Sequence, residues 1–432
     1  MAAHSENNKI AVIGGGIAGL TAAYLLQEKY DITLFEKSDR LGGNAYTLTT
    51  PGGEEADIAA AVFGKFSNRN LFRLFSKLNI DTVASVNRNP FNASSPGISY
   101  CNLDTKRGLF FTPRLKGLIA QHFEVLRPDH VMSVLRLMRG LKRAQAAAAR
   151  GDLDGLTIEE ALQNVPQLQG EAKLMLIGCL CLMTSMHCND VLDSPARFVM
   201  EQLKKYDDLI PPTPKSLLSL SFVQHGTKSY VRALSDPYRE SVVLNAKIRA
   251  IERQDGMVLV HGEDGRTSLF NKVVFACNAD QALALLQKPT PDEKRLLGAW
   301  RYSEGAIVVH TDHAQFPRRE LMTGFTFLYR DRGRYIDTSV SGSLWALPGV
   351  SKKSRLISTQ RPNFPITNSS RVFEKVFRTP IFDFQSCSAV RELPFLNGEQ
   401  NTYYCGSHFG FGLHEDAVTS AVAVARALHV DF

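Results

Sequence analysis

Residues 9–47, KIAVIGGGIAGLTAAYLLQEKYDITLFEKSDRLGGNAYT, decide the fold of this chain. An apolar run, Lys9–Ile13, leads into Gly14-Gly15-Gly16-Ile17-Ala18-Gly19, and the pattern that follows predicts a helix reaching Lys29. A second short strand, Ile32–Phe35, delivers the acid Glu36, 22 residues after Gly14. Strand, glycine turn, helix, strand and acid in this order form a dinucleotide-binding unit. Gly14 makes the tight turn, Gly16 lets the backbone approach a pyrophosphate, and Gly19 lets helix pack on strand. The helix start offers free N–H groups and a partial positive charge to the phosphates. An ionised Glu36 has no donor of its own, so it suits two ribose hydroxyls and repels a 2′-phosphate. A glycine turn alone is a weak signal, and its bland reading is a βα turn with no ligand. Here the flanking elements all agree with the ligand-binding one.

Size and composition bound the rest. The chain has 432 residues, 44% of them hydrophobic, enough for two or three domains with sizeable cores. No secretory signal is recognisable at the start, because the first apolar run is short and a glycine turn interrupts it. No segment has the ~18–20 uninterrupted apolar residues of a membrane span. The seven cysteines are scattered and odd in number, which predicts a reducing cytoplasm rather than a disulfide framework. Cys179, Cys181, His187 and Cys188 superficially suggest a metal site, but LMLIGCLCLM reads more simply as buried thiols, so no metal is expected. The net charge of +7 concentrates in 106–143, where nine Lys/Arg face only Glu124 and Asp129 among many apolar residues. That stretch reads as a solvated cationic helical face, with peripheral contact to an anionic membrane as the sharper alternative. No nucleic-acid module accompanies the charge, so no nucleic-acid partner is expected.

Along the chain, Asn70–Leu78 has helical spacing and 86–100 reads as a loop. From 113 to 206 the pattern is mostly helical, ending at the Pro211–Pro214 cluster. Strand-like runs follow at Leu217–Val223, Ser241–Asn245, Ala250–Gln254, Met257–His261 and Leu269–Ala276. Residues 300–383 are again β-like, with Tyr302 and His310 in one expected hairpin region. The tail offers a strand at Asn401–Cys405 and a small-residue helix at Ala417–Leu428.

Three features favour a flavin over a nicotinamide. Glu36 is followed by Lys37, Arg40, Gly42, Gly43 and Asn44, and the second glycine pair lets another backbone segment press on the cofactor. The run around Ile248 can pass beside an adenine. The end of the chain brings Gly406, a glycine-rich turn, and His414-Glu415-Asp416 at a helix start, which suits the anion formed when a flavin accepts a hydride.

The opening ExxxxxGGxxxT pattern and the closing GSHFGFGLHEDAVTSAVAVARAL resemble the flavin amine oxidase and phytoene desaturase superfamily. More closely, the chain resembles predicted FAD-binding proteins related to the flavin domain of some cyclopropane fatty-acid synthases, and GTKSYVRAL, VVFACNADQALALL and RYSEGAIVVHTDHAQFPRR extend the likeness. The resemblance implies an α/β fold: a Rossmann-like discontinuous FAD-binding domain (1–85, 206–290 and 395–432) with an inserted α+β substrate domain. That insert comprises the mostly helical 86–205 and the strand-rich 291–394. By position, Gly14, Gly15, Gly16, Ala18 and Gly19 meet the pyrophosphate and Glu36 the ribose. Lys37, Arg40, Gly42, Gly43 and Asn44 line the phosphate and ribityl side, Ile248 the adenine, and Gly406 with His414, Glu415 and Asp416 the flavin end. Two departures stand out: Asp57-Ile58-Ala59 where the family has acid-x-Gly, and Ser407 where amine oxidases place an acid behind the glycine.

The resulting expectation is an FAD-dependent oxidoreductase removing a hydride and a proton from a C–C or C–N bond of a mainly apolar small molecule, lipid or polyketide-like. The alternatives are a redox-neutral double-bond isomerase and a non-catalytic flavin-bound subunit. Candidate catalytic residues are His408, His414, Tyr302 and His310, each with a bland reading as a satisfied core side chain.

Overall fold

The strand Lys9–Ile13 runs through the middle of a five-stranded sheet, which is why it is apolar on both faces. Its neighbours are Asp31–Phe35 on one side and Lys272–Phe275 on the other. Val242–Val243 and Thr402–Tyr404 close the two edges, and every pairing is parallel. The computed structural model describes residues 8–84, 98–105, 108–111, 127–210, 219–316, 322, 324–332 and 336–432.

The first helix spans Ile17–Leu26, ending one turn earlier than its pattern predicts because the N–H groups of Lys29 and Tyr30 both return to the Leu26 carbonyl. It is buried almost all round, between the sheet and the C-terminal helix His414–Ala427. Alanines 18, 22, 421 and 425 share that core and let the two helices approach closely. The ends of the chain thus pack on one another, as the discontinuous Rossmann-like reading requires.

One boundary is corrected. Leu269–Ala276 is not a single run: Thr267–Phe270 completes a three-stranded antiparallel meander with Ile248–Gln254 and Met257–Gly262, whereas Lys272–Phe275 joins the parallel sheet. Asn271 is the pivot, its side-chain oxygen accepting the Lys9 N–H at 2.8 Å and its own N–H bonding the Lys9 carbonyl.

The second layer is a seven-stranded mixed sheet in the order Arg371–Pro380, Tyr302–His310, Ile357–Gln360, Ile336–Ser343, Phe325–Asp331, Ile98–Asn102, Gly108–Phe111. Alternation along these strands separates two faces. Tyr100, Phe327 and Ile336 pack into the core beneath the helices Pro128–Arg150, Glu171–Thr184 and Ala196–Lys205. Val308, Leu328 and Ile357 face Phe316, Trp345 and Phe364 on the other side.

Of the cationic stretch, 106–107 and 112–126 lie outside the described residues. Residues 108–111 form the edge strand of the seven-stranded sheet, and 128–143 belong to Pro128–Arg150, which exposes Val131, Met132 and Leu135 beside Arg136 and Arg139. Among the described residues no helix is long and apolar enough to cross a membrane.

Candidate active site

Two glycine turns meet at the C-terminal edge of the parallel sheet. Gly14 donates to the Phe35 carbonyl, Gly42 donates to the Gly15 carbonyl at 2.8 Å, and Gly16 and Gly42 form a parallel bridge. A Cβ on Gly43 would stand 3.1 Å from the Gly16 Cα, and a Cβ on Gly14 2.8 Å from the Ala276 carbonyl oxygen. The absent side chains let three backbone segments touch.

Glu36 is buried and accepts from Gly15 N at 2.6 Å and Ser38 N at 2.8 Å. Each carboxylate oxygen keeps a lone pair for a further donor. Arg40 lies over the Tyr46 ring at 4.0 Å and donates to the carbonyls of Leu41, Ala45 and Gly43, holding the second turn in shape. Burial lowers its pKa. Asn44 donates to the Arg378 carbonyl at 3.4 Å. Lys37 is exposed, and a Gln281 oxygen accepts from its ammonium at 2.8 Å and from Arg378 at 3.3 Å. Ile248 is half-buried against the core at the start of its strand, two residues after Ala246, which donates to the Glu36 carbonyl. A Cβ on Gly15 would meet the Leu41 Cδ2 at 2.6 Å and the Glu36 side chain at 3.1 Å, so a side chain there would displace both.

This cradle fits a dinucleotide on three counts. The space where a Gly16 Cβ would stand is open to 4 Å, and the helix Ile17–Leu26 has no side-chain cap and no acid in its first turn. The Arg40 Nε is buried without a partner. Lys375, missed by sequence reasoning, has its pKa lowered by burial and by the neighbouring Arg40, against the opposite pull of Asp39 and Glu36, and adds a second cation beside the turns. Its signal was the cationic spacing Arg371, Lys375, Arg378 along one strand.

Asp57 was also missed as a site residue. It is buried and accepts from Thr47 Oγ1 (2.6 Å), Thr227 Oγ1 (2.8 Å) and Thr227 N (2.9 Å), clasping the Gly226 turn against the hairpin Thr47–Thr49/Glu55–Asp57. Burial raises its pKa against those bonds.

The four histidine and tyrosine candidates do not converge. Tyr302 and His310 are at opposite ends of one nine-residue strand rather than in a hairpin. The Tyr302 hydroxyl accepts the Ala279 N–H at 2.8 Å at the start of the helix Ala279–Leu285. His310 is fully buried on the far face, its Nε2 at 2.8 Å from Thr359 Oγ1 between Phe316 and Phe364. His408 packs under Gly406 beside Trp300 and Phe409. His414 sits with Phe63 and Tyr230, its Nε2 at 2.9 Å from the Tyr230 hydroxyl.

The two acids at the C-terminal helix are engaged by protein donors. Glu415 accepts from Asn70 N (3.0 Å) and Leu71 N (2.9 Å), capping the helix Arg69–Lys77. Asp416 accepts from Lys205 Nζ (2.8 Å), Phe411 N (2.8 Å) and the Tyr206 hydroxyl, and it fixes the turn 410–413 that leads into the helix. These bonds hold the helix Arg69–Lys77 and the turn 410–413 in place around the start of the C-terminal helix.

Burial lowers the pKa of His408 to about 3 and those of His310 and His414 to about 4. All three are neutral at pH 7, each keeping one ring N–H. The unfolded chain takes up these protons below ~6.5 while the native one does not, so stability is lost as pH falls from there. His408→Leu should flatten that acid limb, by about 1.4 kcal/mol for each pH unit crossed. It also removes a buried Nε2 that has no partner. Urea unfolding at pH 7 and pH 4.5 checks this; parallel limbs in the two proteins would refute it.

Comparison with known proteins agrees with this architecture. A family model described as flavin containing amine oxidoreductase matches residues 17–354. The L-amino-acid oxidase of Siganus canaliculatus is 24% identical over 360 residues, 77% of this chain and 62% of that protein. The flavin-containing amine oxidase A of Canis lupus familiaris is 40% identical over 74 residues, 17% of this chain and 14% of its own. The chain therefore spans less than two thirds of these relatives. Among solved structures, a CLA-producing fatty acid isomerase from P. acnes superposes with a TM-score of 0.68 at 15% identity, covering 98% of this chain and 99% of its own. Cyclohexylamine oxidase from Brevibacterium oxydans gives 0.70 at 14% identity, covering 98% and 100%. The glycine cradle, the paired ends and a family match over most of the sequence lead to one assignment: the chain belongs to the flavin-containing amine oxidoreductase family.

Proposed function

We propose that the chain is an FAD-dependent oxidoreductase that removes a hydride and a proton from a C–C or C–N bond of a mainly apolar small molecule. The observation that carries this reading is the contact between the turns at 14–16 and 42–43, joined to a C-terminal helix packed on the first. Segments 1–85, 206–290 and 395–432 hold the cofactor in this reading, and 86–205 with 291–394 enclose the substrate.

FAD, when bound, supplies the hydride acceptor. The chain's residues do the positioning. The N–H groups at Gly16–Ala18 and the cations Arg40 and Lys375 receive the phosphates, and Glu36 the ribose hydroxyls. Phe63 and Tyr230 pack edge-on against the His414 ring, with Phe75 in contact with both. Burial raises the Tyr230 pKa well above its ordinary value, so its hydroxyl keeps its proton beside His414 Nε2 at 2.9 Å. The names of the relatives support electron removal at C–N bonds and an apolar fatty chain as chemistries this fold accommodates.

Purified protein should absorb in the blue and release FAD on unfolding. A colourless protein that stays so after refolding with FAD would overturn the proposal. Anaerobic mixing with a turned-over substrate then divides the enzymatic readings: a bleached flavin means dehydrogenation, and a flavin still yellow beside isomerised product means a redox-neutral reaction.

A further inference from the structure

The helix Pro128–Arg150 is the longest among the described residues, and its two faces have opposite chemistry. Ser133, Leu137, Gly140, Leu141, Ala144 and Ala148 recur at helical spacing and are buried toward the helices Glu171–Thr184 and Ala196–Lys205. Gly140 shows how closely that side is packed, since a Cβ there would come within 2.5 Å of the Leu168 side chain. The helix is held by this face alone, and the opposite one is turned to solvent.

The outer face exposes Val131, Met132, Leu135, Arg136, Arg139, Lys142 and Arg143. At 3.6 residues per turn these fall in one stripe about 140° wide and about 18 Å long. The stripe is ordered lengthwise, aliphatic first and cationic after. Val131, Met132 and Leu135 are 43%, 39% and 38% exposed, so three large apolar side chains meet water within five positions.

The cations are uncompensated. Near the helix ends, Arg127 lies 4.0 Å from Asp129 and Arg150 2.7 Å from Asp152. Among the described residues, Arg136, Arg139, Lys142 and Arg143 have no carboxylate at ion-pair distance. Arg139 instead faces Arg136, Lys142 and Arg143 at three- and four-residue spacing, like-charge pairs that an isolated helix disfavours.

A partner that relieves both features brings anions over the cations and hydrocarbon beside them. Nucleic acid brings phosphates, but its bases stack on rings and bond to amides, and this stripe has neither. An acidic polypeptide brings charge without a continuous hydrocarbon layer. An anionic bilayer brings both, at two depths. The long stems of arginine and lysine keep their charges at phosphate level while the aliphatic end enters below it.

We propose that the outer face of Pro128–Arg150 docks on an anionic lipid bilayer. Val131, Met132 and Leu135 enter the boundary of the acyl chains, and Arg136, Arg139, Lys142 and Arg143 meet lipid phosphates. This inference is independent of the flavin reading.

The test is co-sedimentation of the full-length protein with vesicles of phosphatidylcholine, either pure or containing about one-third phosphatidylglycerol. The anionic vesicles should carry the protein down at ~0.1 M salt and release it at ~1 M, where charges are screened, and the neutral vesicles should leave it in solution. Arg139→Gln/Lys142→Gln should weaken binding roughly 25-fold, at about fivefold for each cation removed. Met132→Ser/Leu135→Ser should weaken it about tenfold. All four side chains are exposed, so both variants should melt like wild type. Should either misfold, the lipid and salt dependence of the wild-type protein decides without it. Equal sedimentation with both vesicle types, none with either, or undiminished binding by a folded variant overturns the proposal. So does a dimer that Met132→Ser/Leu135→Ser dissociates, which gives the stripe to a second copy of the chain. Polyglutamate bound as tightly as the anionic vesicles gives it to an acidic polypeptide and overturns the proposal equally.

Discussion

Gly19→Val will not accumulate as a folded protein, whereas Gly16→Ala will fold normally and fail to retain FAD. Both glycines belong to one turn and helix start, but they are glycines for different reasons. A Cβ at Gly19 would lie 1.9 Å from the Gly14 carbonyl oxygen and 3.1 Å from the Ala276 Cβ. The first obstacle is backbone, fixed by the bond from Gly14 N to Phe35 O, and cannot swing aside. Overpacking a rigid core costs typically ~1–3 kcal/mol and more when backbone must move. Against a total stability of ~5–15 kcal/mol, a displacement of the central strand and helix is enough to unfold the domain. At Gly16 nothing stands within 4 Å of the same added methyl, and its φ of −73° is ordinary for alanine. The methyl instead occupies the space through which the pyrophosphate approaches the helix start. Circular dichroism melts and the ratio of blue to protein absorbance separate the outcomes. A Gly19→Val protein that melts like wild type, or a Gly16→Ala protein with full flavin content, contradicts the assignment of these positions.

The same contrast explains what could be read from the sequence. Gly14, Gly16, Gly19, Gly42 and Gly43 answer to local backbone demands, and a strand, a helix and an acid within thirty residues announce them. The C-terminal helix is local too, with its small residues at helical spacing. The side-chain roles are not local. Glu415 caps a helix 345 residues earlier in the chain, Asp416 meets Tyr206 across 210, and Thr227 meets Asp57 across 170. Nothing in HEDAV distinguishes a carboxylate aimed at a flavin from one aimed at a distant helix start. His310 and Tyr302 share a strand, but only the sheet order reveals that His310 is sealed on the far face by Phe316 and Phe364.

Glu293→Leu should destabilise the protein by about 3–5 kcal/mol, and adding Arg253→Met should recover most of that loss. The Glu293 and Arg253 side chains are 2% and 5% exposed, with Nη2 to Oε2 at 2.9 Å and the Tyr404 hydroxyl donating to Oε1. This cluster fastens the antiparallel meander and the helix Pro291–Gly298 to the edge strand Thr402–Tyr404 of the parallel sheet. Removing the acid alone leaves a buried guanidinium and a buried phenol without their acceptor. Removing both charges leaves only the Tyr404 hydroxyl without its acceptor, a smaller cost than an unpaired buried charge. The pH dependence has a definite sign. Burial pushes the Glu293 pKa up, but the bonds from Arg253, Tyr404 and the Thr290 N–H outweigh it and hold the pKa below its ordinary value. The stabilisation is therefore complete above the unfolded-state value of ~4.3 and is lost as pH falls through the lower folded value. Urea denaturation of the four proteins of the double-mutant cycle at pH 7 should give the full coupling, and at pH 3 a smaller one. A Glu293→Leu protein as stable as wild type at neutral pH would mean that the meander is held by its apolar contacts alone, and that the buried pair is a passenger.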